Sequence, residues 1–184
     1  MNINDPSGSP LRVTSEGRAN VSSVSEPIDR HVNREFGKAW SVSFFDIDPT
    51  GAFDYFFYLK NTGSADLTMT GIGISSTVTG SLEVMAVSGT PTFSSGVDLT
   101  PVSRNLGKSP IVDATIKSSI DITGLSNDGI VGHTKISAVD TTFSLTDNST
   151  LIIPQGKAVA LRWSEATGVL TGVIALIEVP EEHD

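Results

Sequence analysis

From Trp40 onward, apolar and polar residues alternate in short runs. Gly, Pro, Asn and Ser interrupt these runs at intervals of roughly 8 to 12 residues, the pattern of antiparallel strands joined by turns. In FDYFFYLKN the positions Phe53, Tyr55, Phe57 and Leu59 predict one apolar face, and Asp54, Phe56, Tyr58 and Lys60 a mixed one. NTGSAD ends that strand. DLTMTGIGIS and SLEVMAVS follow, and the shift of apolar parity between Met69 and Ile72 predicts a bulge near Gly71. Residues 89 to 110 read as a surface excursion with short strand-like pieces around Phe93 and Val102. VDATIKS predicts a half-buried strand, and DITGLSNDGIVGHT a second polar excursion.

The last third is the most regular. STLIIPQGKAVALRW predicts two strands about a turn at Pro154 to Gly156, with Val159, Leu161 and Trp163 on one face, and SEATG predicts another hairpin. TGVLTGVIALIEV is apolar on both parities, as a central strand covered on both faces would be. No stretch of ten or more residues carries a helical stripe with caps. The expectation is an all-β antiparallel β-sandwich over residues 39 to 180, with a jelly roll as its topology and residues 181 to 184 as an acidic tail.

Residues 1 to 38 break this pattern. They hold few apolar side chains, no sustained period, and many Ser, Pro, Asn and Gly, so they cannot bury a core alone and read as an extended N-terminal arm. Arg12, Arg18, Arg30 and Arg34 are spread along it, each able to grip a carboxylate on another surface with two parallel hydrogen bonds. Over the first 40 residues five basic side chains balance five acidic ones, so the whole net charge of −9 falls on the remainder. That balance argues against nucleic acid as a partner, since a phosphate backbone requires a concentrated cationic face. A chain of 184 residues suffices for one domain plus an arm. The longest apolar run, near Val173 to Ile177, is far too short for a membrane span, and the first residues lack the basic and apolar regions of a signal peptide. The chain is therefore expected to be soluble, without a membrane partner.

Candidate chemistry is sparse. There is no cysteine, so neither disulfides nor thiolate ligands are available. His31, His133 and His183 lie far apart in sequence, and no nucleophile elbow or phosphate loop is present. The expectation is a protein that is not an enzyme and uses no cofactor. One motif invites a metal: Asp46, Asp48, Thr50, Gly51 and Asp54 match the opening spacing of a calcium loop. Its twelfth position, however, is Phe57 where a bidentate Glu belongs, and Pro49 and Gly51 suit a tight turn between strands, which is the preferred reading. Trp40, Tyr55, Tyr58 and Trp163 could form a sugar-binding platform, but in alternating strands they are expected in the core.

Several longer phrases carry a resemblance: NREFGKAWSVSF, DYFFYLKNTGSADLTMTGI, VDLTPVSRNLGKSPIVDATIK and LIIPQGKAVALRW. Over roughly residues 33 to 179 the chain resembles small virion structural proteins of tailed bacteriophages, of the capsid decoration or cement type. The resemblance lies in strand-and-turn phrasing and not in a catalytic signature, so no functional residue is carried over from it. It implies a homotrimer assembled in the host cytoplasm and placed on the capsid exterior of the virion. Its partner would be the major capsid protein, whose neighbouring subunits it bridges. The alternative is a head- or tail-attached fibre or spike whose loops, at 89 to 110 or 124 to 134, bind a host surface glycan.

Overall fold

The computed structural model describes residues 28–108, 111–139, 143–145 and 151–178. One short helix, α1 (Ile28–Glu35), precedes eleven strands: β1 (Ala39–Ile47), β2 (Tyr55–Asn61), β3 (Leu67–Ser76), β4 (Gly80–Phe93), β5 (Val97–Asp98), β6 (Val102–Ser103), β7 (Ala114–Ile136), β8 (Phe143–Leu145), β9 (Leu151–Ile153), β10 (Ala158–Trp163) and β11 (Leu170–Glu178). They form two antiparallel sheets. The first runs β6-β1-β11-β3, with β8 and β9 both on the far edge of β3, and the second runs β2-β10-β4-β7-β5.

Successive strands alternate between the sheets from β1 to β4 and again from β9 to β11. With the two-residue strands β5 and β6 set aside, β1-β11-β3-β8 facing β2-β10-β4-β7 is the strand order of a jelly roll. The all-β sandwich is thus present. Two expected hairpins are instead crossovers. The turn at Pro154 to Gly156 passes from β9 in one sheet to β10 in the other, and SEATG passes back to β11. Turn chemistry is local, and it is blind to which sheet receives the next strand.

The main core lies between the sheets. Trp40, Val42 and Phe44 of β1, Ile72 and Ile74 of β3, and Ile174 and Leu176 of β11 meet Phe57 and Leu59 of β2, Leu82 and Val84 of β4, and Val159, Leu161 and Trp163 of β10. The expected shared face of Val159, Leu161 and Trp163 is therefore the core face. The bulge expected near Gly71 is also found. Ala175 opposes Gly71 while Leu176 opposes Met69, which leaves Thr70 as the extra residue.

Three expectations on strand faces are corrected. Phe56 and Tyr58, assigned to a mixed face, are both buried. Phe56 is skipped where β2 pairs with β7 and with β10, so it turns with Phe57 into the main core, and the rings of both meet Phe44 at 5.7 and 5.9 Å. Tyr58 enters a second core with Met85, Val87, Ile122, Ala158 and Ala160. That core exists because the second sheet curls until its ends meet. The first part of β7 pairs with β2, the rest pairs with β4, and Ile122 stands opposite both Tyr55 and Phe93. The stretch DITGLSNDGIVGHT is thus not an excursion but the body of a 23-residue strand. β11 is central in its sheet, yet its outer face is covered only near Ile177; Val173 is 42% exposed.

Asn61 joins the two layers. Its amide nitrogen donates to the carbonyls of Ala65 and Ile153, each at 2.8 Å, and its Oδ1 accepts from the Gly63 backbone N–H at 2.9 Å. One side chain thereby closes the Asx turn of NTGSAD and ties β2 to β9 in the opposite sheet.

Candidate functional site

Of the four arginines expected to bind a partner, Arg12 and Arg18 lie outside the described residues. Arg30 and Arg34 lie on α1, so the last part of the expected extended arm is helical. Little in the local sequence signals this, because α1 is held by tertiary contacts. Val32 is buried against Ala39 and Ile177 on the outer face of the first sheet. Gly37, at φ 69°, ends the helix in a left-handed cap, its N–H donating to the Asn33 carbonyl at 3.1 Å. The Asn105 side chain also donates to the Asn33 carbonyl, at 2.9 Å, and Lys108 donates to the carbonyls of Arg34 and Glu35. A cation on the last carbonyls also suits the negative end of the helix. Lys38 pairs with Glu178 just beyond.

Arg30 and Arg34 are one helical turn apart and both exposed, which places them on one side of α1. Arg34 Nε donates to Glu35 Oε1 at 2.7 Å, and this contact holds the Glu35 carboxyl below its ordinary range. The helix is thus a rigid mount for two guanidinium groups at the point where the N-terminal residues join the body.

The calcium-like motif resolves into backbone roles. Phe44 opposes Gly172 and Ile47 opposes Leu170, so Phe45 and Asp46 form a bulge at the end of β1, with Asp46 at φ 54°. The Asp46 N–H donates to Thr171 Oγ1 at 3.3 Å. Asp48 is exposed, and Asp54 closes the following turn: its carboxylate accepts from Thr50 Oγ1 at 3.1 Å and its N–H donates to the Gly51 carbonyl. Asp54 in turn acts on Asp121 of β7, whose carboxyl is pushed up by burial and then by the charge of Asp54. Among the described residues no three His, Cys, Asp or Glu side chains are grouped to hold a metal ion, so the structure does not assemble Asp46, Asp48 and Asp54 into a site.

Trp40, Trp163 and Tyr58 are core residues, which removes three members of the sugar platform. Tyr55 lies under Arg162, whose guanidinium is 5.9 Å from its ring and 5.2 Å from that of Phe53. Glu83 pins Arg162 from the other side at 2.7 Å. Phe53 itself holds φ 65°, a strained conformation for a bulky residue, and is 52% exposed. Phe45 is 66% exposed and borders a groove on the outer face of the first sheet, lined also by Ser43, Gly73, Ser75, Thr171 and Val173. The one available signal for Phe45 was the pair Phe44-Phe45, since adjacent strand residues face opposite ways. Phe53 was assigned to an apolar face, and only its backbone turn reveals otherwise.

His31 and His133 are exposed on α1 and β7, and His183 lies outside the described residues. Among the described residues no helix is long and apolar enough to cross a membrane. Comparisons of the chain with protein-family models, with curated proteins and with solved structures found no match.

Proposed function

We propose that this protein is a phage capsid decoration protein, a homotrimer that binds the capsid exterior and bridges neighbouring major capsid protein subunits without catalysis. The observation that carries this reading is the docking of α1. A helix fixed to the sandwich carries Arg30 and Arg34 on one side, and the 27 residues that precede it in sequence include Arg12 and Arg18. Extended at about 3.3 Å per residue, that segment can reach roughly 90 Å, far enough to leave one capsid subunit for the next. The strand-and-turn phrasing of residues 33 to 179 supports the same class of protein. The acidic body and the charge-balanced arm divide the work: the arm offers guanidinium groups to carboxylates on a neighbour, while the body keeps the copies soluble.

The test is occupancy on expanded capsids. Deleting residues 2 to 27 leaves α1 and its contacts in place, and the double variant Arg30→Ala/Arg34→Ala removes only the helical pair. The deletion is expected to abolish saturation and the double variant to weaken binding by about tenfold or more, with a steeper loss at high salt in the wild-type protein. Unchanged occupancy of both would remove arm and helix from the mechanism. Retention of host-cell binding by a protein that ignores capsids would favour a glycan-binding fibre instead.

A further inference from the structure

We propose that α1 is a releasable strap, hinged at Gly37, and that the side chain of Asn33 keeps its docking weak. Asn33 Oδ1 is buried, and among the described residues nothing donates to it. Either orientation of that amide puts a polar atom in the dry position, so docking carries a cost that an apolar side chain of similar size would remove. The Asn33 backbone carbonyl, by contrast, accepts from the Gly37 N–H and from the Asn105 side chain. Asn33 thus serves the docked state through its backbone and opposes it through its side chain.

The rest of the helix offers little to offset this. Of residues 30 to 35, Val32 is buried, Asn33 half-buried and the other four exposed. Eight residues are too few for a helix to persist alone in water, so α1 is either docked and helical or released and unfolded. The grips on its C-terminal carbonyls are two polar side chains, Asn105 and Lys108. Movement stops at Gly37. Beyond it Lys38 is fixed twice, its carbonyl accepting from the Glu178 N–H at 3.0 Å and its ammonium pairing with the Glu178 carboxylate. At Gly37 itself the φ is 69°, and a Cβ would lie 2.6 Å from Lys108 Cβ, so the docked geometry requires glycine at the hinge. Docked, α1 holds Arg30 and Arg34 in place. Released, residues 28 to 36 can span roughly 30 Å at about 3.3 Å per residue, which gives the N-terminal residues a second, longer reach. That consequence rests on the reading of the arm above; release itself does not.

The experiment is native-state hydrogen exchange on the full chain, read at the amides of Phe36 and Gly37, whose bonds to the Val32 and Asn33 carbonyls require a docked α1. In wild type these amides are expected to exchange faster than those of β10 and β11 and with little dependence on low denaturant, the mark of an opening smaller than global unfolding. Asn33→Leu and Asn33→Ala are expected to slow them by about tenfold or more, beyond the roughly threefold that higher helix propensity supplies. Gly37→Ala is expected to abolish protection at Phe36 while β10 and β11 stay protected. Wild-type exchange at Phe36 and Gly37 that matches the central strands would mean that α1 opens only with the whole fold, and would overturn the strap. Fast exchange that neither Asn33 variant slows beyond about threefold would overturn the role of Asn33. No capsid enters this experiment, so its failure leaves the proposed function standing, and failure of capsid binding leaves the strap.

Discussion

Asp46 and Gly156 occupy left-handed backbone, at φ 54° and 76°, and the two positions make opposite predictions. Asp tolerates that region better than most residues but less well than glycine, so Asp46→Gly should leave stability unchanged or raise it by up to about 1 kcal/mol. A residue ligating an ion would behave otherwise, and addition of a chelator should leave the melting temperature of the wild-type protein where it was. At Gly156 a Cβ would meet nothing within 4 Å, so Gly156→Ala isolates the backbone cost. It should lose about 1 kcal/mol, or roughly 2 to 4 °C in melting temperature. Asp121 gives a pH dependence. Its folded-state carboxyl is raised by burial and by Asp54, so the native protein binds a proton more readily than the unfolded chain does. Stability from this group is present below the ordinary carboxylate range and is lost as pH rises through the raised value. Asp121→Asn should therefore melt above the wild-type protein at neutral pH, with the difference vanishing in acid.

At the scale of elements, the jelly roll depends on residues that serve two partners. Asn61 donates to carbonyls in its own turn and in the opposite sheet, so Asn61→Ala leaves buried carbonyls unpaired and should cost about 2 to 4 kcal/mol. Asp at the same position keeps the acceptor for Gly63 but has no donor, and should rescue little. Ile122 is the vertex at which β7 passes from β2 to β4, and it fills the smaller core. Ile122→Ala should cost about 2 to 5 kcal/mol. Hydrogen exchange should then quicken first in residues 114 to 122 and in their β2 partners, because that pairing holds the curl closed. Strand existence was legible here, and so was the bulge at Thr70, because parity is written in neighbouring residues. The continuity of β7 was not. Its polar and glycine-rich stretch looks like a loop until β4 supplies its ladder, a partner some forty residues away.

For the molecule as a whole, the candidate surface was legible only in part. Charge and composition singled out the arginines, but the docking of α1 depends on Val32, Asn105 and Lys108 meeting across more than seventy residues of chain. Alternation correctly predicts Trp40, Tyr58 and Trp163 in the core but puts Phe53 on the same apolar footing, because rings in alternating strands look alike. Two tryptophans went to the core, while bulges and turned backbone put Phe45 and Phe53 outside. If docked α1 is the working surface, Val32→Asp should impair capsid binding more than its loss of stability explains. That would be read as reduced occupancy at a temperature where circular dichroism is unchanged. Alternation and turn residues are properties of short segments, so the chain alone settled the β class, the core face of β10 and the bulge at Thr70. Which sheet each strand joins, how the second sheet curls onto β7, and which aromatic rings reach solvent depend on contacts between distant residues. Those contacts gain free energy only when the partners meet, so they are decided in the folded structure and leave little local trace.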